Sequence, residues 1–183
     1  VPVIAFINAG GTIRDDLKPT SVDYVFTRPV GRSAFMVFRY LSHVACAQVD
    51  FLFGLLVVTG IGIYRGVPEF AAALPSLLLG QMLLVAAFSA FGMLAAMLTS
   101  RYIVVGLAYG AIVELGVGQI PTQLNQLSMT AQVRGMLHAL TPAAGTASGA
   151  LWATAVLLAF AAGMLAIATV IFTLRELSAS NES

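Results

Sequence analysis

Residues Leu74 to Leu98 read LPSLLLGQMLLVAAFSAFGMLAAML, an apolar run in which no residue carries a charge. A helix rises about 1.5 Å per residue, so about 20 apolar residues cross the hydrocarbon core of a bilayer. This run is longer than that. Composition decides between a membrane span and a buried helix of a soluble protein. The chain of 183 residues is 59% hydrophobic and 9% charged, against about 25% charged in an ordinary soluble domain. A soluble domain this small keeps much of its surface in water and could not hide so many apolar side chains. The fold class expected is all-α, a polytopic transmembrane helix bundle.

Three further runs fit the same reading, from about Leu41 to Ile63, from Ile103 to Ile120 (near the lower limit of length) and from about Gly149 to Leu174. Residues 1–9 are apolar but too short to span. They are expected to be the end of a span whose beginning lies upstream of Val1. Gly10-Gly11-Thr12 then reads as the exit of that helix. Gly54, Gly60, Gly92, Gly106, Gly110 and Gly163 lie within the runs. Small residues let transmembrane helices approach closely, so these glycines are expected to serve packing.

The nine basic residues set the orientation. With the loop 10–40 in the cytoplasm, Arg14, Lys18, Arg28, Arg32, Arg39, Arg101 and Arg175 fall inside and only Arg65 and Arg134 outside. The inverse arrangement would put seven outside and is rejected. The tail 175–183 then faces the cytoplasm, and a bacterial inner membrane is the expected location. Between the third and fourth runs, residues 121–148 place Leu124, Leu127, Val133, Met136, Leu137 and Leu140 at helical intervals among polar residues. That spacing predicts an amphipathic or re-entrant helix at the outer interface. Trp152 and Tyr64 fall near the outer boundaries, where amphipathic rings favour the interface.

Two acids stand where ionisable groups are costly. Asp50 and Glu114 lie near mid-depth of their runs, where such a group faces a bundle interior or a wet cavity. Gln48, Gln81 and Gln119 accompany them. One reading makes Gln48, Asp50, Glu114 and Gln119 a candidate transport path. The other makes these groups interhelical hydrogen bonds that fix packing. The remaining chemistry is sparse. Cys46 is single, and His43 and His138 have no second ligand at metal spacing. No Ser/His/Asp or Cys/His arrangement supports hydrolysis, so no catalytic residue is expected. A net charge of +1 gives no footprint for nucleic acid. A Gly-rich phosphate loop with Lys and Ser/Thr is missing from the sequence, so the chain itself is not expected to bind ATP.

The loop 10–40 carries the functional signal. Pro19 and Thr20 precede Ser21-Val22-Asp23-Tyr24-Val25-Phe26, where a Thr cap with Asp23 three residues on predicts a short helix. Thr27-Arg28-Pro29-Val30-Gly31-Arg32 follows, with Pro29 suited to the first turn of a helix that enters the membrane through Phe35 and Tyr40. The stretch Gly11 to Asp16, then Ser21 to Arg32, resembles the first cytoplasmic loop of ABC-2 type permeases. Those loops join an acidic residue, a short apolar helix and a Thr/Ser-Arg-Pro-(Val/Ile)-x-Arg sequence. The acidic position falls on Asp15 or Asp16. Pro19-Thr20 stands where the family has Gly-Thr. The resemblance implies that Asp15, Asp16, Thr20, Ser21, Asp23, Tyr24, Phe26, Arg28, Pro29 and Arg32 receive force from a separate ATP-binding cassette ATPase. It also implies a second permease chain, homodimeric or heterodimeric, and ATP and Mg bound only by the partner subunit. Two other classes compete: an ion-coupled secondary transporter using Asp50 and Glu114, and a membrane scaffold that transports nothing.

Overall fold

The computed structural model describes residues 2–16, 31–67, 69–116, 128–139 and 147–179. Every regular element among them is helical. In chain order they are α1 (Pro2–Asp16), α2 (Arg32–Tyr64), α3 (Glu69–Leu98), α4 (Tyr102–Tyr109, continued by a π-helix over Gly110–Gly116), α5 (Met129–Ala139) and α6 (Ala147–Ala179). Three are long and apolar enough to cross a membrane: α2, α3 from Ala73 onward, and α6 from Ser148 to Leu174. The chain therefore has the helices of an integral membrane bundle. The fourth expected span, 103–120, is described only to Gly116, as eight α-helical and seven π-helical residues. Residues 117–120 of that expected span lie outside the described residues.

Helix α3 is the centre, and α1, α2, α4, α5 and α6 all pack on it. Its residues build both halves of the core. Leu83, Ala87 and Phe88 join Phe6 of α1, Met129, Val133 and Met136 of α5, and Leu157 of α6. Toward the other end, Ala90, Met93, Leu94 and Met97 join Ile13 of α1, Met36 and Tyr40 of α2, and Phe172 of α6. The helix expected within residues 121–148 is present as α5, and its buried Met129, Val133 and Met136 recur at one helical face.

The expectation that α1 exits at Gly10 is corrected by the structure, in which the helix continues to Asp16. Glycine weakens an isolated helix, but here contact overrides propensity. A Cβ on Gly92 would overlap the Phe6 carbonyl, and one on Gly10 would overlap the Tyr102 ring. A Cβ on Gly106 would overlap the Phe6 ring as well. Gly10, Gly92 and Gly106 thus let α1 lie directly on α3 and α4. Among the described residues, the packing expectation is met at Gly92 and Gly106. At Gly54, Gly60, Gly110 and Gly163 an added Cβ would meet nothing within 4 Å.

At its far end α2 stops on a glycine the sequence reading passed over. Gly66 takes φ 79°, a left-handed conformation that other residues avoid. Its N–H donates to the Ile63 carbonyl at 2.9 Å, and Val67 N–H donates to that of Gly62 at 3.1 Å. These two bonds are a Schellman cap. Tyr64 beside it is 91% exposed, and Trp152 near the start of α6 is 65% exposed.

Candidate functional site

Glu114 is the polar centre of the described structure. It sits in the π-helix and reaches the start of α5. Its Oε1 accepts from Met129 N–H at 3.0 Å, and its Oε2 accepts from Ser128 Oγ at 2.7 Å and Thr130 N–H at 3.3 Å. Thr130 Oγ1 donates to Oε2 as well. Ser128 Oγ in turn accepts from Ala131 N–H at 3.0 Å. A helix start leaves four N–H groups without intrahelical acceptors, and its dipole favours negative charge there. Ser128 is the N-cap residue, and Glu114 supplies the acid from another helix. The winding matters too. In an α-helix, residues five apart lie about 140° around the axis. The π-helix bonds at i to i+5, which brings the Tyr109 hydroxyl to Glu114.

Gln48, Gln81 and Tyr40 join α2 to α3. Tyr40 Oη donates to the Ala86 carbonyl at 2.9 Å and Gln48 Nε2 to that of Met82 at 3.1 Å. Gln81 answers from α3. Its amide, oriented by its surroundings, donates to the Phe51 carbonyl and accepts from Leu52 N–H, both at 3.1 Å. The two glutamines thus form reciprocal ties between helices. Asp50, two residues from Gln48, is exposed on α2. Glu114 and Asp50 are not brought together: the π-helix packs on α4 and α5, whereas α2 packs on α1, α3 and α6.

At the other end of the molecule, Asp16 closes α1 onto α2. Arg39 Nη2 donates to Asp16 Oδ1 at 2.9 Å, and Arg39 Nε lies 2.6 Å from Oδ2. This two-pronged pair bridges the positions on either side of residues 17–30. Burial pushes the Asp16 carboxyl above its ordinary range, and Arg39 offsets only part of the rise. Asp15 is exposed beside it, and Arg32 is exposed at the start of α2. Thr20, Ser21, Asp23, Tyr24, Phe26, Arg28 and Pro29 of the coupling loop, and Gln119 of the transport-path set, lie outside the described residues.

A cavity of about 510 Å³ opens between α1, α3, α4 with its π-helix, and α5. Its walls include Phe6, Phe88, Phe91 and Leu107, and its polar lining is Glu114, Thr130 and Arg134. Aromatic contacts stiffen the wall: ring centroids are 5.1 Å apart for Phe6 and Phe91, and 4.8 Å for Phe91 and Tyr109. Among the described residues no cluster of His, Cys, Asp or Glu could hold a metal ion. The sequence marks Glu114 as a costly acid but does not display its partners. The signal was Ser128 just before a periodic apolar run, a helix-start pattern. It did not anticipate the Asp16–Arg39 pair, because Arg39 read only as topology-setting charge. No protein family, curated protein or solved structure matches the chain.

Proposed function

We propose that the chain is the membrane-spanning subunit of an ABC-2 type transporter, moving a substrate across a bacterial inner membrane on energy supplied by a separate ATPase subunit. The observation that supports this reading is the Asp16–Arg39 pair, 2.6 Å at its closest. It binds the end of α1 to α2 on both sides of the segment 17–30. A push on that segment is delivered to two helices at once. Through α1, which lies on α3 by way of Gly10 and Gly92, it reaches the buried centre of the bundle. In this reading the segment and the C-terminus face the cytoplasm, a second permease chain completes the path, and ATP and Mg stay on the partner.

The competing ion-coupled carrier needs Glu114 free to exchange a proton or ion. Both of its oxygens instead accept hydrogen bonds from α5, an arrangement that favours a structural role. Purification of the intact protein from its native membrane tests the proposal. An ATPase subunit is expected to come with it, and Arg39→Met is expected to uncouple ATP hydrolysis from transport. Purification without any ATPase, or transport that ignores ATP depletion and collapses with the proton gradient, refutes the proposal.

A further inference from the structure

The cavity has a chemistry that the proposed coupling does not use. Its walls are aromatic and aliphatic side chains from α1, α3 and α4, and its volume of about 510 Å³ lies within the ~300–1,000 Å³ of ligand sites. Among the described residues its polar groups are Glu114 on the π-helix and Thr130 and Arg134 on α5. Glu114 and Thr130 are bonded to each other. Both Glu114 oxygens are satisfied by α5 donors, so that acid is not placed to hold a cationic ligand. Arg134 differs. It is exposed, it lines the cavity, and it makes no ion pair among the described residues. A cavity with apolar walls and one unpaired cation at its polar side matches a ligand with a hydrocarbon chain and an anionic head.

We propose that this cavity is a binding site for an anionic amphiphile, with its chain between Phe6, Phe91 and Leu107 and its head group at Arg134. The bilayer's own anionic lipids and a transported cargo share that chemistry. The site does not depend on how the chain is driven. Gly110 gives a direct means of closing it, because Gly110 lines the cavity and a Cβ there would meet nothing within 4 Å.

The test uses the purified full chain in nanodiscs of zwitterionic lipid and a long-chain fatty acid carrying a mid-chain photoreactive diazirine. Mass spectrometry locates the cross-links. Saturable labelling is expected on α1 and α4, competed by unlabelled fatty acid and about tenfold less well by the fatty alcohol of equal length. Arg134→Gln is expected to abolish that preference for the acid while labelling persists. Gly110→Phe is expected to remove labelling from both segments. Because nothing in this readout requires ATP or a partner, failure of the transporter reading leaves it intact. Competition by phosphatidylglycerol identifies a lipid source; competition by fatty acid but not by phosphatidylglycerol identifies a single-chain cargo. Labelling absent from the cavity, unsaturable labelling spread over the exposed face of α2, or an acid preference retained in Arg134→Gln overturns the proposal.

Discussion

Helices α2 and α3 have the same mean hydropathy, 2.0, over their most apolar stretches, yet 61% of that stretch is buried inside the bundle in α3 and only 6% in α2. Hydropathy therefore places both in a membrane and says nothing about which is central. Side-chain size makes the difference. The buried side of α3 is rich in small residues, Ala87, Ser89, Ala90, Gly92, Ala95 and Ala96, with Leu83, Val85, Phe88, Leu94, Met93 and Met97 packed between them. Small residues permit close approach of backbones, and methionine adapts to irregular spaces. Helix α2 instead turns Phe53, Leu56, Val57, Val58 and Ile61 outward. Large side chains suit contact with lipid, where helices gain nothing from merely being apolar.

The largest effect is expected where that difference is sharpest. Gly92→Leu would drive a side chain into the Phe6 carbonyl and cost about 3 kcal/mol, the upper range for overpacking a tight contact. Thermal unfolding in a fixed detergent would show it, and an unchanged midpoint would mean that α1 does not rest on α3. Next comes Glu114→Ala, which leaves Met129 and Thr130 N–H without their side-chain acceptor, at about 2 kcal/mol. Amide hydrogen exchange at 129–131 should quicken while that of α3 stays slow. Equal protection in both proteins would refute the cap.

Arg39→Met is expected to cost less, on the order of 1 kcal/mol at neutral pH. Its pH dependence is the sharper readout. The folded Asp16 carboxyl titrates above its ordinary value because burial opposes its charge. The protonated form is therefore the one that folding favours, and this group's contribution falls as pH rises through the folded value. Removing Arg39 takes away the offsetting charge and raises that value further. The variant should regain stability as pH falls through the carboxylate range, relative to the unsubstituted protein; a constant difference across pH would contradict the pair. Smallest of all is Gly54→Leu on α2, expected within about 0.5 kcal/mol, since nothing faces that position. A loss comparable to that of Gly92→Leu would erase the contrast between the two helices.

The same contrast explains what could be read in advance. Long apolar runs survive any arrangement of neighbours, so α2, α3 and α6 were legible, as was the helical spacing of Val133 and Met136. Gly10 was misread because glycine's local preference and its packing use point in opposite directions. Gly66 was missed because a cap depends on backbone angles that composition does not display. The partners of Glu114 were hidden for another reason: Ser128 lies 14 positions away, and only the fold brings them together. The coupling reading still rests on sequence between Thr20 and Arg32, supported from the structure by Asp16 and Arg39 at its margins.

The two acidic junctions also differ in how dissolved ions reach them. At Asp16 a carboxylate meets a guanidinium whose side chain is 38% exposed, so mobile counterions can take either partner's place, and at molar salt the screening length shrinks to about 3 Å. At Glu114 the carboxyl is held by neutral donors at the start of a helix, and among the described residues no cationic side chain pairs with it. Ionic strength therefore acts as a selective solvent: it loosens the α1–α2 junction and leaves the α5 cap in place.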